Sequence, residues 1–458
     1  MTWLAAHLTL SGVALALMAA TVLILRQDRS PQSVFAWLLL IGFVPYLGLP
    51  LYLVLGFRKS RSAYDAIAFA ERAEPPASSS TERLLVGSGL PHAEDDNRFD
   101  LLTSGPMAHA SLGSLVGGAQ RSIDACFYAV DDDDVGADFV SRLIERRKAG
   151  VEVRLIVDAI GALYRPRNEL RALRDAGGQV ETFSPILHSP FRSRINLRNH
   201  RKILIADGRI VFAGGMNVGA NYLAPEPREA GWKDLAYTIE GPLVRDFATV
   251  FWSGWQAVSK IDPLDPTEVE QDLPPPAAKS GCTRAQLAVS GPDVTLDALH
   301  DALLQAIFAA RSRIRICTPY FLPTPSLLEA LKIASRRGTR VQIVVPAQSN
   351  QWMADLARGS ILRELRASGC EIALYRPGML HAKAWIIDEI GFVGSANFDV
   401  RSLLLNFETM LVLYSPADVQ SLRAWFDALM PATDTNQPEV SLPRRVAERI
   451  VRLQSPIL

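Results

Sequence analysis

The body of this chain is written twice, and that constrains its fold more than any other feature. Ser104-Gly105-Pro106 is echoed by Ser290-Gly291-Pro292, and Ser122-Ile123-Asp124-Ala125-Cys126-Phe127 by Arg313-Ile314-Arg315-Ile316-Cys317-Thr318. Gly150-Val151-Glu152-Val153-Arg154-Leu155 then answers to Gly338-Thr339-Arg340-Val341-Gln342-Ile343, and Leu173-Arg174-Asp175-Ala176-Gly177 to Leu365-Arg366-Ala367-Ser368-Gly369. The order strand–helix–strand–helix–strand repeats at offsets of 181 to 192 residues. Apolar strands alternating with helices predict α/β layering with buried, largely parallel strands. A duplication of this length predicts two lobes related by a pseudo-two-fold axis. The copies are expected over 101–261 and 282–430. A Pro/Ser/charge-rich tether is expected over 61–100, a proline-rich acidic linker over 262–281 and a basic amphipathic tail over 431–458.

Ahead of the body, residues 1–25 and 30–57 contain no Asp, Glu, Lys or Arg, and only Arg26-Gln27-Asp28-Arg29 separates them. Each run is long enough for the ~20 helical residues that cross a ~30 Å hydrocarbon core. Met1-Thr2-Trp3 offers no basic n-region for a signal peptide. Residues 1–60 therefore read as a transmembrane hairpin, its second arm kinked or partly re-entrant because it holds Gly42, Pro45, Gly48 and Pro50. Arg58, Lys59 and Arg61 against Arg26 and Arg29 favour a cytoplasmic body by a single residue.

The 458 residues carry 48 basic and 48 acidic side chains, and the segment 1–60 holds four of the cations against one acid. The remaining body is mildly acidic, which argues against a nucleic-acid binder that works by neutralising phosphates. Cys126, Cys282, Cys317 and Cys370 are scattered, with no pairing that suits a disulfide scaffold or a zinc cluster.

The chemistry sits at matched points of the two copies. The first reads Asn199-His200-Arg201-Lys202, then Asp207, then Gly214-Gly215-Met216-Asn217; the second reads Leu380-His381-Ala382-Lys383, then Asp388, then Gly394-Ser395-Ala396-Asn397. Both are H-x-K-x4-D followed by a small-residue pair and Asn. With only 7 His, 8 Lys and 28 Asp in the chain, chance supplies roughly 0.01 such matches, so coincidence does not explain two. In extended backbone residues i and i+2 share a face, which puts His200 with Lys202 and His381 with Lys383. Asp207-Gly208 is a hairpin signal that would bring Asn217 back alongside. Two such sets facing each other would flank an anion with two imidazoles and surround it with Lys202, Lys383, Asn217 and Asn397 as phosphate-binding donors. Displacement at phosphorus needs that arrangement.

These paired motifs resemble the phospholipase D superfamily. The apolar hairpin, Arg198-Asn199-His200-Arg201-Lys202-Ile203, Asn397-Phe398-Asp399-Val400-Arg401-Ser402 with Asn406-Phe407-Glu408, Thr318-Pro319-Tyr320-Phe321 and the closing Ser455-Pro456-Ile457-Leu458 resemble bacterial cardiolipin synthases in particular. Gly359-Ser360-Ile361-Leu362 departs from that family, where a tyrosine-containing stretch is expected. The resemblance implies two tandem phospholipase D-like α/β repeats behind a two-helix transmembrane hairpin, held in a bacterial inner membrane. It implies transfer of a phosphatidyl group between two phosphatidylglycerols, giving cardiolipin and glycerol, with anionic membrane lipids as partners and no cofactor or metal. It implies catalytic roles for His200, Lys202, Asp207, His381, Lys383 and Asp388, with His200 as nucleophile and His381 as acid, then base. Symmetry alone does not decide which histidine does which.

Each histidine needs a carboxylate on its second ring nitrogen to hold its tautomer. Asp234 lies 34 residues after His200 and Glu408 lies 27 after His381, so each acid is matched to the histidine of its own copy. Asp207 and Asp388 sit at the turn and read as mainly structural. The Asp131–Asp134 run fits a helix N-terminus better than a metal site. Arg192, Arg194, Arg198 and Arg201 read either as a solvated loop or as attraction for anionic headgroups. The tail aligns Val446, Ile450 and Leu453 on one helical face, which either lies on an anionic bilayer or packs on the body. Two other functions share these motifs: a hydrolytic phospholipase D or a transferase with another acceptor such as phosphatidylethanolamine, and an inactive lipid-binding scaffold. The second would normally have lost a motif residue. Nothing in the sequence bears on oligomeric state.

Overall fold

A computed structural model of the chain describes residues 64–70, 77–183, 197–259 and 281–452, apart from positions 162, 164, 229–230 and 437–439. It also describes 31–55 and isolated positions between 12 and 24 and between 269 and 274. Copy one contributes strands β1 (Glu94–Leu102), β2 (Ser122–Phe127), β3 (Glu152–Asp158), β4 (Gln179–Phe183), β5 (Ile203–Ala206), β6 (Ile210–Gly214) and β7 (Ala236–Glu240). Copy two contributes β8 (Thr283–Ser290), β9 (Arg313–Cys317), β10 (Phe321–Leu322), β11 (Arg340–Pro346), β12 (Glu371–Tyr375), β13 (Ala384–Ile387), β14 (Ile390–Gly394), β15 (Phe398–Asp399), β16 (Glu408–Leu413) and β17 (Thr433–Asp434).

Fifteen of these form one sheet in the order β17-β12-β11-β9-β13-β14-β16-β8-β1-β7-β6-β5-β2-β3-β4, and β10 pairs with β15 separately. Outward from the β8–β1 seam the two halves run in the same sequence, so the duplication is also the symmetry of the sheet. The strands are not largely parallel. Only β2–β3–β4 and β9–β11–β12 are parallel within the large sheet. The remaining pairs are antiparallel because tight turns such as Asp207-Gly208 fold β5 directly onto β6. Asp207 and Gly208 take φ of 54° and 65°, a left-handed pair that reverses the chain in a three-residue loop closed by Arg209 N on the Ala206 carbonyl at 3.0 Å.

The segment expected as a tether is ordered in its second half. Helix α3 (Ser80–Gly87) follows the N-terminal helices α1 (Pro31–Phe43) and α2 (Pro45–Leu55), and β1 is the seam strand itself. Its acids disguise it, since among β1 residues only Asn97 and Leu102 are buried. Asn97 Nδ2 donates to the Thr283 carbonyl at 3.4 Å, and its Oδ1 accepts from Leu243 N at 2.9 Å, tying seam to body.

Helices α4 (Gly105–Gly118), α5 (Asp134–Lys148), α6 (Arg167–Asp175) and α7 (Val244–Ser259) clothe copy one; α8 (Ala298–Ala309), α9 (Pro325–Arg336), α10 (Trp352–Ala367), α11 (Val400–Leu404) and α12 (Pro416–Leu429) clothe copy two. Ser104, Asp133 and Thr324 cap α4, α5 and α9 by accepting first-turn amides. Asp133 does what the four-acid run predicts. One apolar cluster includes Tyr237 and Phe247 from copy one and Leu287 and Val412 from copy two, so the copies share a core. A final helix, α13 (Leu442–Arg452), packs against α10.

The apolar run 30–57 does not form one long helix. It breaks at Val44, where Pro45 follows, and folds back so that Trp37 meets Tyr52 edge to face at 5.3 Å. Gly48 permits the return: a Cβ there would stand 2.7 Å from the Leu40 carbonyl oxygen. At ~1.5 Å per residue neither α1 nor α2 reaches ~30 Å, and no helix among the described residues is long and apolar enough to cross a membrane. The first apolar run, the 262–281 linker and the closing Ser455–Leu458 lie largely or wholly outside the described residues.

Candidate active site

The two motif segments enter the sheet just ahead of β5 and β13, strands whose residues are all buried. Each is held by the other copy. His200 N donates to the Phe407 carbonyl at 2.9 Å, and Phe407 N donates to the Arg198 carbonyl at 3.0 Å. By the same symmetry, His381 N donates to the Lys233 carbonyl at 2.7 Å, and Lys233 N to the Met379 carbonyl at 2.9 Å.

This crossing overturns the within-copy pairing of the acids. Glu408 Oε1 lies 3.3 Å from His200 Nδ1, and Asp234 Oδ2 lies 2.6 Å from His381 Nδ1. The two acids hold matched places, each two residues ahead of the strand position that pairs with Gly214 or Gly394. They are anchored differently. Glu408 Oε2 accepts from Ser395 Oγ at 2.6 Å, whereas Asp234 packs on Gly215, where a Cβ would meet Asp234 Oδ1 at 2.4 Å. Both carboxylates are fully buried.

Lys202 Nζ donates to the His200 carbonyl at 2.7 Å. Lys383 Nζ reaches the His381 carbonyl and lies 2.7 Å from its Nδ1 and 3.2 Å from its Nε2. Asn217 Oδ1 accepts from Ala129 N at 3.3 Å, and its Nδ2 donates to Tyr222 Oη at 3.3 Å. The matched Asn397 is buried, and its Oδ1 has no hydrogen-bond partner among the described residues. Tyr128 stands 4.3 Å from the His200 ring; Trp232, Tyr222 and Tyr320 stand 5.1, 5.2 and 6.5 Å from the His381 ring. Of these aromatic walls only Tyr320 stands in a segment that carries the resemblance; Tyr128, Tyr222 and Trp232 were not singled out from the sequence. The signal available was their position: Tyr128 and Tyr320 follow the matched strands that end near Cys126 and Cys317.

Burial sets the charge state. It drives His381 down to about 4, helped by the Lys383 ammonium and opposed by Asp234. Burial also lowers His200, against the pull of Glu408. Lys383 is brought down to about 8 by burial, with Asp234 opposing, and Lys202 is lowered for the same reason. Burial alone would raise the two acids, but Lys383 and His381 hold Asp234 low, and His200 and Lys202 hold Glu408 low. Both imidazoles are therefore neutral at neutral pH in the free protein.

Asp207 and Asp388 stand apart from this cluster. Five residues beyond Lys202 and Lys383, they occupy the far ends of β5 and β13, about 17 Å of extended chain away. Asp207 accepts from the amides of Gln120, Arg121 and Ser122, and Asp388 from those of Arg311, Ser312 and Arg313. They clamp the starts of β2 and β9 and do not reach the reacting centre. Arg198 and Arg201 are likewise internal: Arg198 pairs with buried Asp158 at 3.3 Å, and Arg201 makes a bidentate pair with Asp293 at 2.7 and 3.1 Å. Neither is a free attractor of headgroups; Arg192 and Arg194 lie outside the described residues. No group of three or more His, Cys, Asp or Glu side chains among the described residues is placed to hold a metal ion.

A duplicated α/β body with one histidine–lysine–asparagine set per copy, the sets meeting at a shared centre, defines a phospholipase D-like protein. The family described as cardiolipin synthase, PLD-like domain, matches residues 112–255 and 303–430, more than half of the chain, and the chain belongs to it. A second family, described as phospholipase D-nuclease N-terminal, matches residues 14–56. The chain is 31% identical to the major cardiolipin synthase ClsA of Bacillus subtilis (strain 168), over 96% of this chain and 97% of that protein. It is 32% identical to a cardiolipin synthase of Geobacillus sp. (strain WCH70), over 94% of this chain and 90% of that one. Among solved structures, phosphatidylserine synthase of Haemophilus influenzae superposes with a TM-score of 0.63 at 15% identity, covering 83% of this chain and all of that one, which supports the fold.

Proposed function

We propose that the chain is a cardiolipin synthase, a phosphatidyltransferase joining two phosphatidylglycerols and releasing glycerol. The observation that carries this is the crossed arrangement of the two histidine–carboxylate pairs, which supplies two oriented imidazoles around one centre. His200 attacks phosphorus; the N–P bond forms, the P–O bond to glycerol breaks, and His381 gives the departing glycerol its proton. His381 then takes a proton from the glycerol hydroxyl of the second phosphatidylglycerol. The resulting oxygen displaces His200, so one phosphodiester replaces another and no nucleotide is consumed. The incoming phosphodiester anion favours protonation of His381, which is neutral without it. Lys202 and Lys383 neutralise the non-bridging oxygens, with Asn217 and Asn397 as amide donors. The N-terminal apolar segment serves to hold this centre at the bilayer, with the body in the cytoplasm.

The test is the full chain in detergent–phosphatidylglycerol micelles without added metal, with lipids and glycerol followed by mass spectrometry. Cardiolipin and glycerol rise together, and both are lost in His200→Ala. Phosphatidic acid in place of cardiolipin would make water the acceptor and the protein a hydrolase. If neither appears, phosphatidylethanolamine is added as co-substrate before the transferase reading is abandoned.

A further inference from the structure

Helix α13 is mounted with its apolar stripe outward. A surface helix normally turns its apolar residues to the core and its charges to water. Here the residue driven deepest into the body is Glu448, 1% exposed, while Leu442, Val446 and Ile450 are 73%, 49% and 58% exposed. Those three are spaced four apart and so line one face. The inward charge is paid for by local chemistry: Glu448 pairs with Arg363 of α10 and, at 3.3 Å, with Arg444. Arg452 reaches Glu364 at 3.1 Å, and Val451 packs on the core. Gly359 of α10 makes the room, since a Cβ there would stand 2.6 Å from Glu448 Oε1. The helix is thus fixed to the body by ion pairs, and packing does not explain its apolar stripe.

The surroundings of the stripe indicate what covers it. Arg445 and Arg449 are exposed beside it, and Glu448, the one acid of the helix, is turned away. A second copy of the chain would bring these arginines against their own kind. An apolar strip edged by arginines and free of exposed acid complements an anionic lipid surface. We propose that α13 lies on the bilayer that supplies the substrate, its Leu442–Val446–Ile450 stripe among the acyl chains and Arg445 and Arg449 at the phosphates. The inference rests on the transferase reading for the identity of the anionic lipid, phosphatidylglycerol.

The test uses the full chain carrying Cys282→Ser, which removes the exposed thiol and leaves three buried ones. A nitroxide is attached at Val446→Cys or Ile450→Cys, and the protein is reconstituted into equimolar phosphatidylglycerol–phosphatidylcholine vesicles or into phosphatidylcholine alone. In the anionic vesicles both labels become accessible to oxygen and shielded from a water-soluble nickel chelate, and phosphatidylcholine alone weakens the effect. Arg445→Gln and Arg449→Gln each lower the docked-to-undocked ratio about fivefold. Nickel accessibility that is high and equal in both vesicles overturns the proposal, as does spin–spin broadening that grows with protein density, the mark of a second copy. Ile450→Glu slows cardiolipin formation in vesicles and leaves it unchanged in detergent micelles; equal rates in vesicles count against the proposal. A wild-type protein that makes no cardiolipin in micelles, with or without phosphatidylethanolamine, would sink the transferase reading, yet the spin labels would still decide where α13 lies.

Discussion

Asp234 and Glu408 act on histidines of the opposite copy, and this dictates which residues behave as a unit. Removing both members of an oriented pair costs little more than removing the histidine alone, because the acid works only through its imidazole. Asp234→Asn lowers kcat/KM by about 10²–10⁴-fold, yet adds almost nothing on top of His381→Ala. Comparing Asp234→Asn/His381→Ala with His381→Ala in a single-turnover assay checks this. A within-copy pairing would instead make Asp234→Asn a further loss on top of His381→Ala. The lysines supply a second expectation. Lys383 titrates near pH 8 because burial has lowered it; its ammonium is present below that value and lost above it. The kcat/KM profile therefore falls on the alkaline side of pH about 8, and a flat profile to roughly pH 10 would remove Lys383 from charge neutralisation. Gly215 has a steric role of the same rank: Gly215→Ser drives a side chain into the Asp234 carboxylate, and activity should fall even though Ser395 is native at the matched position.

At the element scale the hairpins β5–β6 and β13–β14 carry the motif, and Asp207 and Asp388 hold them in register. Each carboxylate accepts three backbone amides while its own residue sits at positive φ (54° and 49°). Asp388→Ala hands those exposed amides to water and gives up a residue tolerant of that backbone, at a cost of about 1–3 kcal/mol. Thermal unfolding should therefore begin at lower temperature, while the folded fraction keeps most of its kcat/KM; a catalytic role would show the reverse, normal stability with activity abolished. Much at this scale was legible in advance. The strand and helix runs fall where the repeated segments lie, and Asp207-Gly208 turns as its composition demands. The directions of the strands were not legible, because buried hairpin strands are as uniformly apolar as parallel ones. Strand β1 was hidden by Asp95, Asp96 and Asp100, which line a seam paired through its backbone. The acid pairing was hidden for a related reason: chain distance matches Asp234 to His200, and only the bridges from 198–200 to 407 and from 379–381 to 233 reveal the exchange.

Across the whole molecule, the crossed pairs mean that neither copy holds a working half-site by itself. Copy one alone has His200 without Glu408, and copy two alone has His381 without Asp234. The body is also physically continuous, since one sheet runs through the β1–β8 seam and one apolar cluster takes Tyr237 and Phe247 from one side and Leu287 and Val412 from the other. Two consequences separate this molecule from a pair of tethered domains. Thermal unfolding of the body should be a single transition under any optical probe, where independent lobes would give two. Moreover, His200→Ala and His381→Ala proteins mixed in the same phosphatidylglycerol micelles should regain no cardiolipin synthesis, because each chain builds its centre from its own two copies. Recovery on mixing would mean that chains exchange copies, with β1 of one molecule pairing β8 of another. The seam contains the instrument for telling these apart: its register shifts between Glu94 and Asn97, and Asn97 is bonded to both Thr283 and Leu243. Asn97→Ala removes those bonds from the middle of the fold, so it should lower the single transition as a whole rather than split off one copy.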